Sequence, residues 1–301
     1  MLYIKELDNV EEIFENAIKY PKVIRYIIYF FKKIFCILTI KDEKVCVLPY
    51  KKIKSKVIIE TIGKIISKIT HNVVLSNYLN DIELLKLQFQ ENKINIYKGD
   101  ILCKYLIYNF VEYILKQRGE ECYNQEICIL VNDLTKLDEN NIIYFCKKFK
   151  RINIVTKNIN KFKRLEKYLE EEGIAITITN NKRKSLLKAK IIINLDFDEE
   201  LLNSFNINQN AIILEIGEKA EVKSKLFNGI NILDYQIVYD TSNIKLDNIN
   251  YKKFDKKLIY ESIASKNEYE DVINMINRDN VRIVNLIGKN GIIQKQEYRK
   301  I

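Results

Sequence analysis

Ile127-Cys128-Ile129-Leu130-Val131-Asn132 is an apolar run that ends in its first polar side chain, and the polar turn Asp133-Leu134-Thr135-Lys136-Leu137-Asp138 follows it. A run without alternation has no solvent face, so it reads as a strand covered on both sides. The pattern recurs downstream at Ile152–Thr156, Ile174–Thr179, Ile191–Leu195 and Ala211–Ile216, with a sixth run near Ile230–Tyr239. Amphipathic helical spacing fills the gaps, at Asp138–Phe149, Ile159–Glu172, around Lys184–Ala189, and at Glu199–Phe205. Short buried strands alternating with helices specify a parallel sheet with right-handed crossovers. The expected fold class is therefore α/β: a Rossmann-like doubly wound parallel sheet, with its first five strands in spatial order 3-2-1-4-5.

Upstream the pattern is more mixed. Residues 10–33 read as helical with an interruption at Pro21, and Phe35–Ile40 and Val45–Leu48 read as strands of a hairpin turned at Lys41–Lys44. Helical spacing resumes from Ile53, a short strand-like run follows at Val73–Leu75, and a helix is expected near Asp81–Glu91. This predicts a smaller mixed α/β domain over residues 1–98. Cys103, Leu106, Ile107, Phe110, Val111 and Ile114 form one apolar stripe, which predicts a single long connecting helix after Gly99. The Rossmann-like domain then covers 99–245. Residues 246–301 supply helices at Asp255–Ala264 and Glu268–Asn277, a strand at Val281–Ile287 and a Gly288–Gly291 turn, expected to pack back on the N-terminal domain.

The chain has 301 residues, 47% hydrophobic and 30% charged, with a net charge of +10, and its mean hydropathy is −0.19. Those values exclude wholesale disorder and a multispanning membrane protein. Counting from Lys147 to Lys190 gives fourteen basic and four acidic residues, so this segment carries the whole +10 and the remaining 36 of each sign cancel. Either it is a surface for a polyanion or it is lysine-rich drift in an Ile-, Lys- and Asn-rich chain. The six cysteines show no C-x-x-C pair and sit mostly in apolar stretches, which argues for reduced core residues and a cytoplasmic location. Lys5, Glu6 and Asp8 stand where an export signal would need apolar residues. The apolar run Tyr26–Ile40 is broken by Lys32-Lys33 and falls short of the ~20 residues of a membrane span.

Over roughly residues 95–265 the order of elements resembles the shikimate dehydrogenase and glutamyl-tRNA reductase type of NADP-linked oxidoreductase. Tyr97-Lys98-Gly99-Asp100 resembles that group's glycine-containing entry to the connecting helix. Thr156-Lys157-Asn158 matches the turn whose basic residue meets the 2′-phosphate of NADP, Ile191–Leu195 with Asp196 matches the fourth strand, and Ala211–Ile216 the fifth. The resemblance implies NADP as cofactor and a final helix returning to the N-terminal domain.

The chain also departs from that pattern. A dinucleotide seat needs glycine where the first strand turns into its helix, so that backbone N–H groups can approach the pyrophosphate, and Asn132–Asp138 contains none. Asp133, Asp196 and Glu215 end strands one, four and five, where they would repel a diphosphate. Asn72–Asn77 lies where the group's catalytic lysine belongs and contains no lysine. The expectation is a degenerate Rossmann-like binding or regulatory protein, without turnover, with no catalytic residue and no cofactor. An NADP-dependent oxidoreductase is the first alternative. A nucleic-acid-binding protein using residues 147–190 is the second, and a protein partner filling the crevice the third.

The candidate crevice residues are Asn132, Asp133, Thr156, Lys157, Asp196 and Glu215, and the candidate phosphate or polyanion contacts are Lys157, Lys161, Arg164, Lys182, Arg183 and Lys184. Asp133, Asp196 and Glu215 either hold Mg²⁺ together or simply end strands in solvent. His71 is the sole histidine, which excludes a multi-histidine metal site, and it reads as an ordinary residue at a helix end. Gly288-Lys289-Asn290-Gly291 lacks P-loop spacing and reads as a β-turn.

Overall fold

The strand-like runs pair into sheets, and how long each strand becomes depends on what ends the helix before it. The computed structural model describes residues 2–6, 36–40, 43–48, 56–80, 82–121, 125–149, 151–216, 219–240 and 253–299. The chain forms two units, Met1–Gly99 with Thr241–Lys266, and Asp100–Asp240 with Asn267–Ile301. The division falls inside the C-terminal stretch, so 246–301 is shared between the two units.

The first unit holds a five-stranded sheet. Its strands are β1 (Leu2–Glu6), β2 (Cys36–Ile40), β3 (Glu43–Leu48), β4 (Asn72–Leu75) and β5 (Asn95–Ile96), in the order β2-β3-β1-β4-β5. β1 lies parallel to β3 and β4, while β2 and β3 run antiparallel, as the hairpin reading requires. The strand character of β1 is absent from the sequence reading. It follows from burial: Leu2 and Ile4 join the core with Ile59, Ile62, Ile66, Val73, Leu75 and Phe89, and Tyr3 packs edge-on to Phe254 at 5.7 Å. The core isoleucines come from the helix Lys56–Ile66 at three- and four-residue spacing, and the helix Glu83–Glu91 adds Leu85 and Phe89. The helical reading of 10–33 lies outside the described residues.

In the second unit the parallel strands are β6 (Glu126–Leu130), β7 (Arg151–Val155), β8 (Thr177–Thr179), β9 (Ile191–Asn194), β10 (Ile212–Glu215) and β11 (Ile230–Ile232), in the order β11-β10-β9-β6-β7-β8. Numbered within the sheet this is 3-2-1-4-5-6, which contains the expected 3-2-1-4-5, and every neighbouring pair is parallel. All residues of β9 and β10 are buried, as continuous apolar strands require. The sixth run divides after Ile232. β12 (Asp234–Val238) turns to pair antiparallel with β13 (Arg282–Gly288), and β14 (Gly291–Ile292) closes a hairpin on β13.

Three local readings are corrected by the backbone. The single connecting helix is two, Asp100–Tyr105 and Ile107–Arg118, broken at Leu106, although the whole stripe from Cys103 to Ile114 is buried as expected. The second of these ends at Gly119, whose φ of 73° is left-handed backbone that glycine adopts without steric cost. Strand three is only Thr177–Thr179, because Gly173 (φ 75°) closes the helix Ile159–Glu171 and Ile174 is still giving its N–H to the Leu169 carbonyl. The expected helix around Lys184–Ala189 is a run of turns. The Asn181 side-chain oxygen takes the N–H groups of Arg183 and Lys184 at 3.0 and 3.2 Å, so local hydrogen bonding competes with the helix.

Candidate functional site

In an open parallel sheet, neighbouring connections leave in opposite directions where the strand order reverses, and a crevice opens at the carboxyl ends of those strands. Here that point lies between β6 and β9, where Asn132-Asp133 and Asp196 emerge. The Asp196 carboxylate spans it. Both its oxygens accept the Asn132 backbone N–H at 2.8 Å, and Oδ2 also accepts the Asp133 N–H at 2.7 Å. Adjacent backbone N–H groups in a tight turn are the atoms that a Rossmann sheet offers to a pyrophosphate. In this chain they bind one of its own carboxylates. Burial raises the Asp196 carboxyl above its ordinary value, the two N–H groups work against the rise, and the Asp133 and Asp138 charges add to it.

The remaining side chains tighten the same turn. Asn132 Oδ1 accepts the Lys157 backbone N–H at 2.9 Å, tying the end of β6 to the end of β7. The Lys161 ammonium pairs with the exposed Asp133 carboxylate. Thr156 is buried and its hydroxyl oxygen takes the Asn158 N–H at 3.0 Å, which makes it a turn residue. Thr135 caps the helix Lys136–Cys146 by accepting the Asp138 N–H at 3.2 Å. The Asp138 carboxylate, 1% exposed, is met by Lys104 at 2.9 and 3.1 Å. The sequence reading misses this Lys104–Asp138 pair, whose only sequence signal is the Thr-x-x-Asp capping pattern on the acidic side.

Glu215 is brought near the crevice indirectly. Its Oε2 accepts the Asn194 amide at 2.7 Å, and Asn194 also donates to the Phe197 carbonyl at 2.9 Å and accepts the Phe197 N–H at 2.8 Å. Asn194, which the sequence reading passes over, therefore fixes the 194–197 turn that presents Asp196. Burial pushes the Glu215 carboxyl up to about 8, against the Asn194 amide and the Ala220 backbone N–H, and its Oε1 has no partner among the described residues.

The three strand-end carboxylates do not converge. Asp133 faces Lys161, Asp196 faces backbone N–H groups and Glu215 is buried, and no cluster of three metal-binding side chains occurs among the described residues. The basic candidates divide into two sets. Lys157 and Lys161 border the crevice, whereas Arg164 lies on the helix Ile159–Glu171, and Lys182, Arg183 and Lys184 lie on the turn after β8. All are exposed, and all belong to the β7–β8 half of the sheet. His71 is exposed in the turn that enters β4.

No protein-family model matches this chain, and no curated protein does. Solved structures do. L-tryptophan dehydrogenase from Nostoc punctiforme is 9% identical over 74% of this chain and 64% of that one, at a TM-score of 0.34. A dipicolinate synthase from Bacillus halodurans is 10% identical over 55% and 57%, also at 0.34. Ornithine carbamoyltransferase from Pyrococcus furiosus is 10% identical over 74% and 73%, at 0.29. The chain thus spans less than two thirds of the length of the first two. These similar structures are enzymes, against the expectation of a protein without turnover. Likeness at this level transfers no substrate, cofactor or catalytic residue.

Proposed function

We propose that the crevice between β6 and β9 is a ligand-binding site of Rossmann type whose phosphate seat is occupied by the chain's own Asp196, so that NAD and NADP are not its ligands. The observation that carries this reading is the pair of N–H groups, Asn132 and Asp133, both given to one carboxylate. A dinucleotide would have to displace Asp196 and then sit beside a second carboxylate, Asp133, at a turn whose side chains stand where glycines would leave room. The shikimate dehydrogenase-like alternative, an NADP-linked oxidoreductase with Lys157 on the 2′-phosphate, requires that displacement. Calorimetric titration separates the two. Heatless injections of both dinucleotides are expected, and a dissociation constant at or below ~1 μM for either would overturn the proposal and make Lys157 a phosphate contact.

A second reading has its own support. Lys157, Arg164, Lys182, Arg183 and Lys184 are exposed on one half of the sheet, inside the segment that carries the whole net charge. That arrangement favours a polyanion as partner over one dispersed by drift.

A further inference from the structure

The parallel sheet of the second unit has two ends, and the crevice uses only the carboxyl one. At the other end the chain enters β9, β10 and β11 side by side, through residues 186–190, 206–211 and 222–229. Backbone hydrogen bonds tie these three entries together. The Asn208 N–H donates to the Leu186 carbonyl at 3.1 Å, the Ile212 N–H to the Lys190 carbonyl at 2.8 Å, and the Asn228 N–H to the Gln209 carbonyl at 2.8 Å. Gly229 permits the last approach, since a Cβ there would lie 2.1 Å from the Ala211 carbonyl oxygen.

Two apolar side chains on this edge are left in water. Leu187 is 53% exposed and Leu226 64%, the highest values among the large apolar residues described in this unit. A single exposed leucine is ordinary, but here two occupy entries on one edge and each adjoins a lysine, as Leu187-Lys188 and Lys225-Leu226. The three entries contain four lysines and no acidic residue. Lys223 is paired with Glu199, whereas Lys188, Lys190 and Lys225 are exposed with no ion pair among the described residues. The nearest carboxylate along the chain, Glu221, is held by Lys289 at 2.7 Å.

A basic edge repels a second copy of itself, and leucine offers no ring on which a nucleic-acid base could stack. An anionic bilayer surface accommodates both features, because ammonium groups reach the headgroups while leucine enters the acyl boundary. We propose that this edge docks the protein on a membrane surface rich in anionic lipid, with Leu187 and Leu226 in the bilayer interface and Lys188, Lys190 and Lys225 on the headgroups. Such docking is peripheral and needs no spanning helix. It does not depend on the crevice at β6 and β9, and its leucines set it apart from a surface that takes any polyanion.

The chain contains no tryptophan, so Leu226→Trp installs a single fluorescent reporter. Vesicles of phosphatidylcholine with about 30% phosphatidylserine, vesicles of phosphatidylcholine alone, and heparin are the probes. At ~100 mM salt the full chain should sediment with the mixed vesicles and not with phosphatidylcholine alone. Emission from the Leu226→Trp chain should move to the blue on the mixed vesicles and stay in place with heparin. The double change Leu187→Ser, Leu226→Ser should weaken vesicle binding about tenfold, and an unchanged denaturant midpoint would show that its fold persists. No sedimentation with mixed vesicles even at ~50 mM salt, unshifted emission from the bound chain, or vesicle affinity indifferent to the leucine pair would each overturn the assignment.

Discussion

A carboxylate held by two backbone N–H groups and a carboxylate buried beside an amide behave oppositely as ligands but alike as acids. Asp196 is an acceptor already in use, and the turn that presents it is held by Asn194 and, through Asn194, by Glu215. Both carboxyls sit above their ordinary values because burial disfavours the charged form. For Glu215 the rise, from 4.5 to about 8, sets a pH window. The unfolded chain loses this proton near the lower value, while the folded protein keeps it to the upper one. Native stability therefore falls as pH rises across the window and levels off above it, at a slope of about 1.4 kcal/mol per pH unit from this group. Glu215→Gln, which keeps the shape and cannot ionise, should flatten that decline and leave the variant a few kcal/mol more stable than the wild type at pH 9. Denaturant midpoints at pH 5 and pH 9 measure it, and parallel pH profiles for the two proteins would show that Glu215 ionises freely.

Among the elements, what could be read from the sequence depended on how much of each signal was local. The strands β6, β9 and β10 are runs apolar on both faces, while β7 carries Arg151 and Asn153 on one face; alternating with helices, these runs fit a covered parallel sheet, so their pairing and order were readable from residues 127–216. β1 was not readable, because a strand of five residues containing Lys5 and Glu6 has no periodicity to detect, and its burial comes from residues 55 and more positions away. The break at Leu106 was hidden for the opposite reason: two consecutive helices can share one stripe. The turns at 182–187 follow from Asn181, whose side chain competes with helix formation, a cue present in the sequence but outweighed there by the apolar spacing of Leu186 and Ala189. At the site, the missing glycine and the acidic strand ends were readable, since both are residue types at known positions. The bond from Asp196 to the Asn132 and Asp133 N–H groups was not, because it joins segments 63 and 64 residues apart.

For the whole molecule, the net charge of +10 is that of residues 147–190, and its basic side chains belong to β7, β8 and the segments beside them. If that half of the sheet takes a polyanion, log K should fall with log salt by about 0.7–0.9 per phosphate neutralised, and the triple change Lys182→Glu, Arg183→Glu, Lys184→Glu should weaken binding and flatten the slope. The fold should survive, since these three side chains are exposed. A wild type that ignores heparin and oligonucleotides at ~50 mM salt would reduce the patch to composition. The central claim, that Asp196 occupies the phosphate seat, is tested most directly by the amide proton signals of Asn132 and Asp133. The account predicts that both move together as Asp196 titrates, above the usual aspartate range, that Asp196→Ala abolishes this shared response, and that ~1 mM NADP leaves the wild-type signals where they are. Signals that ignore the Asp196 titration and shift when NADP is added would contradict it.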